Sequence, residues 1–340
     1  MQQLTFLRAG QPLEWLEVPT PTLQGPDEAL VRPVVVASCD LDYAVIHGFA
    51  PYQGPFAFGH EFIAEVIEAG SEVIHFQPGQ IVVVPFQISC GKCSNCLRGL
   101  TGSCKTAQAG SMYGLPIRGD WGGALSDLVR VPFAEAMLLP VPSGVSPQAI
   151  ASVSDNLSDA WRAVGPYLEK NPGATILIAG GAMAGSIGLY AVAIAQALGA
   201  SQIDYVDKDL TRLEKAGELG ANPLQLKNDV PKRFGSYPIT VDSAAEPSLL
   251  EAVLRSTEAG GTCTSTAIYF EPVALPLLEM YTTGITFKTF RVHSRATTPK
   301  VLELIRSGRL HPETVTTEIV PWMDAGEAFL TYHTKLIITR

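Results

Sequence analysis

Thr175-Ile-Leu-Ile-Ala179 is a compact apolar run, and it opens directly into Gly180-Gly181-Ala182-Met183-Ala184-Gly185-Ser186-Ile187-Gly188. A buried strand that turns on glycines into a helix start presents free backbone N–H groups and the positive end of the helix dipole, which is where a pyrophosphate can bind. Two registers fit the turn. Gly180 and Gly185 are the outer glycines with Ala182 between them, or Gly185 and Gly188 do that work with extra residues in the turn. The surrounding stretch from Ala174 to Ile203 carries no charge and is long enough to cross a bilayer at about 1.5 Å per residue. Its glycine break, and its change from a β-branched to a helical pattern, favour strand–turn–helix over a membrane span.

The next apolar segment, Ile203-Asp-Tyr-Val-Asp207, ends on an acid roughly 20 residues past the turn, from which a carboxylate accepts hydrogen bonds from ribose hydroxyls. The same charge repels a 2′-phosphate, so NAD is favoured over NADP, with Lys208 and Arg212 nearby as a counterweight. The residues expected at the cofactor are Gly180, Gly181, Gly185, Ser186, Ile187, Asp207, Lys208 and Arg212.

Working outward, the runs Thr175–Ala179, Gln202–Val206, Ile239–Ser243 and Thr262–Thr266 alternate with Ala-rich segments of helical length. That alternation predicts βαβ units and a doubly wound parallel sheet over 151–290. The earlier chain has a different texture. Ala29–Val36, Glu61–Glu68, Gln80–Val84 and Leu125–Val131 are short β-like runs punctuated by Gly and Pro, which predicts an irregular β-barrel-like domain over 1–150. A helix over Pro299–Ser307 and an apolar strand over Thr334–Thr339 are expected to return to that first domain, completing it with 291–340.

The chain has 340 residues, enough for two domains at roughly 100–200 residues each. Its 24 Lys and Arg against 33 Asp and Glu leave a net charge of −9, which argues against a basic face for nucleic acid. Residues 1–10 lack the pattern of a signal or transit peptide, so a cytoplasmic setting is the expectation.

Four of the six cysteines crowd between positions 90 and 104. Cys90, Cys93 and Cys96 repeat at three-residue spacing, and Cys104 follows eight residues later. Small and polar residues between them let one loop fold around one ion, so a closed, structural tetrathiolate zinc lobe is expected over about 86–112. Lys92, Arg98 and Lys105 offset its negative charge. A zinc-ribbon nucleic-acid binder is a rival reading of the lobe, opposed by the acidic balance and the dinucleotide turn. A second constellation is weaker by itself: Cys39-Asp40-Leu41-Asp42 and Gly59-His60-Glu61 bring a thiolate, an imidazole and a carboxylate that suit zinc.

Taken in order along the chain, the Gly-His-Glu segment, the four-cysteine lobe and the strand–turn–helix with its terminal acid resemble the zinc-dependent medium-chain dehydrogenase/reductase family, the alcohol dehydrogenase-like group. The resemblance spans essentially the whole chain. It implies a GroES-like irregular β-barrel catalytic domain and a Rossmann cofactor domain. It also implies hydride transfer between NAD and an alcohol, a polyol or a hydrated aldehyde, with the alkoxide stabilised on a catalytic zinc.

By the same resemblance the catalytic zinc is held by Cys39, His60 and a third ligand within 154–159, where Asp155 stands in place of a second cysteine. Glu61 lies beside the metal, and Asp42 fixes the ring of His60. A carboxylate is harder than a thiolate and leaves the metal more Lewis acidic. Two zincs per chain and a homodimer or homotetramer joined partly by the cofactor-domain sheet edge are further implications.

Leu41 departs from the family, because relatives carry a hydroxyl residue there to relay the alcohol proton. His47 and Asp159 are the candidates to take over that relay, their bland readings being a surface histidine and a solvated helix-start cap. Arg291 and Arg295 stand where the family's chain passes the cofactor, and either a pyrophosphate contact or a solvated loop role fits. Trp121 and Trp161 are candidate cleft residues or core, and Cys263 reads as inert core. The rivals for the whole chain are a zinc-free reductase of the same fold, which would lack the four-cysteine lobe, and a catalytically idle zinc- and NAD-binding paralogue with a sensing or scaffold role, motivated by Leu41.

Overall fold

The computed structural model describes residues 1–181, 183–227 and 229–340. The chain divides into two compact units, one formed by Met1–Ser158, Val292–Arg306 and Thr316–Arg340, the other by Asp159–Arg291 and Ser307–Val315. The division falls at Ser158 rather than at position 150, and the short segment Ser307–Val315 groups with the second unit instead of the first.

In the first unit the strand Ala29–Ala37 is the organiser. It pairs antiparallel with Glu61–Ala69, with Val129–Val131 and with the C-terminal strand Leu336–Thr339. Beyond Glu61–Ala69 the sheet continues through Ile81–Val84 to Leu139–Pro140. The ladder between Ala29–Ala37 and Glu61–Ala69 slips between Pro33 and Val35, as it must where a proline supplies no N–H to a central strand. The Pro33 carbonyl finds its partner in Arg340 Nε at 2.9 Å. A smaller antiparallel sheet joins Gln2–Phe6 to Glu14–Glu17 and Phe56–Ala57. Irregular pairing around one long strand is the GroES-like β architecture expected from the punctuated apolar runs.

The second unit is a six-stranded, all-parallel sheet. Its spatial order is Asn222–Gln225, Gln202–Asp207, Thr175–Ala179, Tyr237–Asp242, Thr257–Ser265, Thr286–Thr289. With the strands numbered along the chain from Thr175 this is 3-2-1-4-5-6, the doubly wound Rossmann order. Ile176, Leu177, Ile178 and Ala179 are all fully buried, as a central parallel strand covered on both faces requires. The edge strands Asn222–Gln225 and Thr286–Thr289 escaped the sequence reading. Each is four residues long with no fully buried residue, so neither shows an apolar run. The uncharged stretch 174–203 resolves into a strand, a turn and the helix Ser186–Ala197. Among the described residues no helix is long and apolar enough to cross a membrane.

Candidate metal centres and cofactor turn

The strand Ala29–Ala37 runs out at Ser38, and Cys39 caps the helix Asp40–Ile46 that follows. The cap is reciprocal: the third helical residue, Asp42, accepts the Cys39 backbone N–H on Oδ2 at 2.8 Å. This is a capping box with a thiol where serine or threonine usually stands. It fixes where the Cys39 sulfur points. The other oxygen of Asp42 lies 3.4 Å from His60 Nδ1, so one buried carboxylate bonds the cysteine backbone and faces the histidine ring.

His60 and Glu61 enter from the start of the neighbouring strand, whose residue Glu61 is in register with Ala37. Asp155 follows a short 3-10 turn, Ala151–Ser154, packed against these strands. Its Oδ2 lies 3.2 Å from His60 Nε2 and 3.5 Å from Cys39 Sγ. One ligand atom from each of Cys39, His60, Glu61 and Asp155 lies within 4.8 Å of the others, and all four residues are buried. Ligand atoms at roughly 2.0–2.3 Å on a tetrahedral zinc stand about 3.5 Å apart, so the observed spacings fit such an ion.

Electrostatics agrees with that fit. Burial, and then the charge of Asp155, push the Cys39 thiol up to about 12. Burial lifts the Glu61 carboxyl to about 8 against the pull of Lys335. Burial works against a charged His60, but Asp42 and Asp155 outweigh it and carry the imidazole well above its ordinary value. Three acidic groups around one imidazole out of water are a donor set that a dication neutralises.

Two further residues complete this centre and were missed in the sequence. Lys335, fully buried, reaches it from the start of the last strand: Nζ donates to Glu61 Oε2 at 3.1 Å, to Asn156 Oδ1 at 2.8 Å and to the Ser38 carbonyl. Asn156 lies beside Asp155 and its amide donates to Cys39 Sγ at 3.2 Å. A lysine heading the apolar run Leu336-Ile-Ile-Thr339 was the available sign of a buried partner.

The four-cysteine loop closes as its spacing requires. Backbone N–H groups of Cys90, Ala107, Cys93 and Lys105 donate to cysteine sulfurs at 3.4 Å, and the Thr106 hydroxyl donates to Cys90 Sγ at 3.1 Å. These bonds favour thiolates. Amides of Cys96 and Lys105 draw Cys93 down to about 5, whereas burial drives Cys96 up to about 12. Cys90, Cys93, Cys96 and Cys104 gather into one ligand group, a donor set that fits a structural zinc.

In the second unit the turn after Ala179 is longer than the minimal dinucleotide loop, and the helix starts at Ser186 with Gly185 as its left-handed cap, φ 73°. Ile187 is in the first helical turn. A Cβ on Gly188 would stand 3.4 Å from the Gly180 Cα, the close strand-to-helix contact of a glycine turn. Of the two registers, one has Ala182 at its centre, and Ala182 lies outside the described residues.

Asp207 ends its strand fully enclosed. It accepts from Tyr205 Oη at 2.8 Å, Asp209 N at 2.9 Å, and Arg212 Nε and Nη2 at 2.8 and 2.9 Å. Arg212 also donates to the carbonyls of Met183 and Gly181. Lys208 is paired with Glu246 at 2.6 Å.

The remaining candidates divide. His47 ends the helix Asp40–Ile46 and stacks on Tyr332, ring centroids 4.6 Å apart. Asp159 is neither solvated nor a cap. It forms a buried ion pair with Arg162, whose guanidinium also donates to the Ser265 carbonyl and covers the Phe290 ring. Arg295 belongs to the first unit, in the helix Ser294–Arg306 rather than a loop, and burial lowers its pKa. Trp161 lies against its own helix, where a Cβ on Gly165 would meet its ring. Cys263 is fully buried mid-strand, its thiol pushed up to about 12 by that burial.

Comparison with known proteins agrees with this architecture. Residues 25–143 match the alcohol dehydrogenase GroES-like domain, and residues 186–307 match the zinc-binding dehydrogenase domain. The chain is 30% identical over 241 residues to a medium chain reductase/dehydrogenase of an Acremonium species, covering 69% of this chain and 80% of that one. It is 32% identical over 241 residues to the glutathione-independent formaldehyde dehydrogenase of Pseudomonas aeruginosa, covering 67% of this chain and 59% of that one. Its fold superposes on the alcohol dehydrogenase from Thermus sp. ATN1 with a TM-score of 0.90 and 29% identity, over 100% of this chain and 99% of that one. The chain belongs to the zinc-dependent medium-chain dehydrogenase/reductase family, in its alcohol dehydrogenase-like group.

Proposed function

We propose that this chain is an NAD-linked dehydrogenase that holds two zinc ions, one at Cys39, His60 and Asp155 with Glu61 in reserve, the other in the four-cysteine lobe. It passes hydride reversibly between NAD and a small alcohol, polyol or hydrated aldehyde. The observation that carries this reading is the convergence of four buried donor groups, from three separate stretches of chain, within 4.8 Å. The similarity to a formaldehyde dehydrogenase over 241 residues puts small hydrated aldehydes at the head of the substrate panel.

Bound at that centre, zinc supplies a Lewis acid that brings an alcohol's ionisation near neutrality. The residues around it do the positioning. Asp42 holds the ring of His60 so that Nε2 faces the other donors, Lys335 holds Glu61 back by an ion pair, and the enclosing strands exclude water. Leu41 cannot carry the departing proton. Asp159 is committed to Arg162, so His47, whose Nε2 makes no hydrogen bond among the described residues, is the group we assign to proton release. We also assign a second copy of the chain to the sheet edge Thr286–Thr289, which follows the exposed Leu277, Leu278 and Tyr281.

The test is metal content together with NAD⁺ reduction across formaldehyde, primary and secondary alcohols and polyols, with the mass in solution measured on the same sample. Two zincs per chain with turnover is the expected result. Two zincs and no turnover across the panel would assign the chain to the idle zinc- and NAD-binding alternative, and one zinc without turnover would make the Cys39–His60–Asp155 site vestigial.

A further inference from the structure

We propose that Asn156 is a positioning residue of the Cys39 centre: its side-chain amide, locked in one orientation by Lys335, donates an N–H···S hydrogen bond that draws charge off the Cys39 sulfur. The proposal rests on the assignment of Cys39, His60 and Asp155 as metal ligands.

The orientation follows from donor chemistry. A lysine ammonium has three donors and no acceptor, and Lys335 Nζ stands 2.8 Å from one end of the Asn156 amide. That end must be the carbonyl oxygen, which leaves the NH₂ end facing Cys39 Sγ at 3.2 Å and Asp155 Oδ2 at 3.4 Å. The usual ambiguity between amide O and N is therefore removed by Lys335. Asn156 is 1% exposed and Lys335 0%, so water does not compete for either bond. Lys335 is pinned by the Ser38 carbonyl and Glu61 as well, and the amide cannot turn without leaving a buried ammonium short of an acceptor.

The consequence is electronic. A sulfur that accepts a hydrogen bond is a poorer donor to a metal, and partners of this kind tune affinity and spectra without touching the ion. The chain thus places the lysine that faces Glu61 and the amide that faces Cys39 on one connected network. Oxygen and sulfur donors of the same centre are adjusted by one buried cation.

Cobalt(II) placed at the Cys39 centre, with zinc left in the lobe, reads the sulfur directly through its thiolate-to-metal charge-transfer band. Asn156→Leu removes both halves of the amide. Asn156→Asp keeps an acceptor for Lys335 but sets an oxygen against the sulfur. Both variants should shift the band to lower energy, because the sulfur relieved of its hydrogen bond is the more electron-rich donor.

If the role of Asn156 were only to satisfy Lys335, Asn156→Asp would restore the parent band while Asn156→Leu would not, and that pattern overturns the proposal. An unchanged band in both variants also overturns it. A parent chain that takes no metal outside the lobe overturns the ligand assignment itself, and the proposal with it, so the two failures are told apart by the parent's metal count.

Discussion

Arg212 closes on Asp207 through two nearly parallel hydrogen bonds, Nε to Oδ2 at 2.8 Å and Nη2 to Oδ1 at 2.9 Å. This fork geometry is the strongest form of carboxylate pairing. With Tyr205 and the Asp209 amide on the same two oxygens, the acid at the strand end has its acceptor positions filled and its charge neutralised. A ribose hydroxyl can be received there only if one of these partners yields. The repulsion of a 2′-phosphate is correspondingly muted.

Opposite changes in cofactor selectivity follow. Asp207→Ser leaves Arg212 uncompensated and should raise the affinity for NADPH relative to NADH by about tenfold, equivalent to about 1.4 kcal/mol. Arg212→Ala bares the carboxylate and should move the ratio the other way. Fluorescence titration with the two reduced cofactors measures both without requiring turnover, and shifts of the same sign would contradict this account.

Asp155→Ala should take zinc per chain from two to one while the lobe keeps its metal, because Asp155 faces both Cys39 and His60 and no other carboxylate of the centre replaces that double contact. Turnover should fall below detection. Retention of both metals would remove Asp155 from the ligand set.

Gly180 sits under the ring of Tyr205. A Cβ there would stand 2.0 Å from the phenolic oxygen and 2.5 Å from the ring carbon that bears it. Gly180→Ala should therefore cost about 3 kcal/mol or more in denaturant unfolding, at or beyond the upper end of ordinary overpacking. Adding Tyr205→Phe should not rescue it, since the ring carbon still collides, whereas adding Tyr205→Leu should recover part of the loss.

Glu135, which belongs to neither group of metal-ligating residues, supplies a pH dependence of its own. Burial works to raise its pKa, but the backbone amides of His75 and Ile74 and the His75 ring outweigh it and hold the carboxyl below its ordinary value. A depressed acid stabilises the fold above its unfolded value, about 4.3 for glutamate, and that contribution disappears as the pH falls through the lower folded value. Glu135→Gln should be less stable than the parent at pH 7 by under about 1 kcal/mol, as expected for a partly exposed site, and the difference between the two melting temperatures should close as the pH falls below the ordinary glutamate range.

Much of the architecture was legible from local pattern. The run Thr175–Ala179, the glycines after it and the acid at Asp207 announce a strand, a turn and a second strand through periodicity and turn chemistry, which act over a few residues. The four cysteines are similarly local, because fifteen residues suffice to wrap one ion. Cys39, His60 and Glu61 were recognisable by residue type, and Asp155 through the resemblance alone, but no spacing along the chain could bring them together. The antiparallel register of Ala37 with Glu61 does that.

Tertiary structure alone decided what surrounds those groups. Nothing in the sequence near Asp155 says that Lys335, 180 residues away, points its ammonium at Glu61 and Asn156. Asp159 looked like a solvated helix start and is a buried ion pair, because Arg162 one turn later folds back onto it. Asp207 looked open to a ribose and is held by Arg212. In each case the sequence determined which groups a segment carries, through period and propensity. Packing decided which buried donor meets which buried acceptor, because each polar group removed from water needs a partner and that partner comes from wherever the fold brings one.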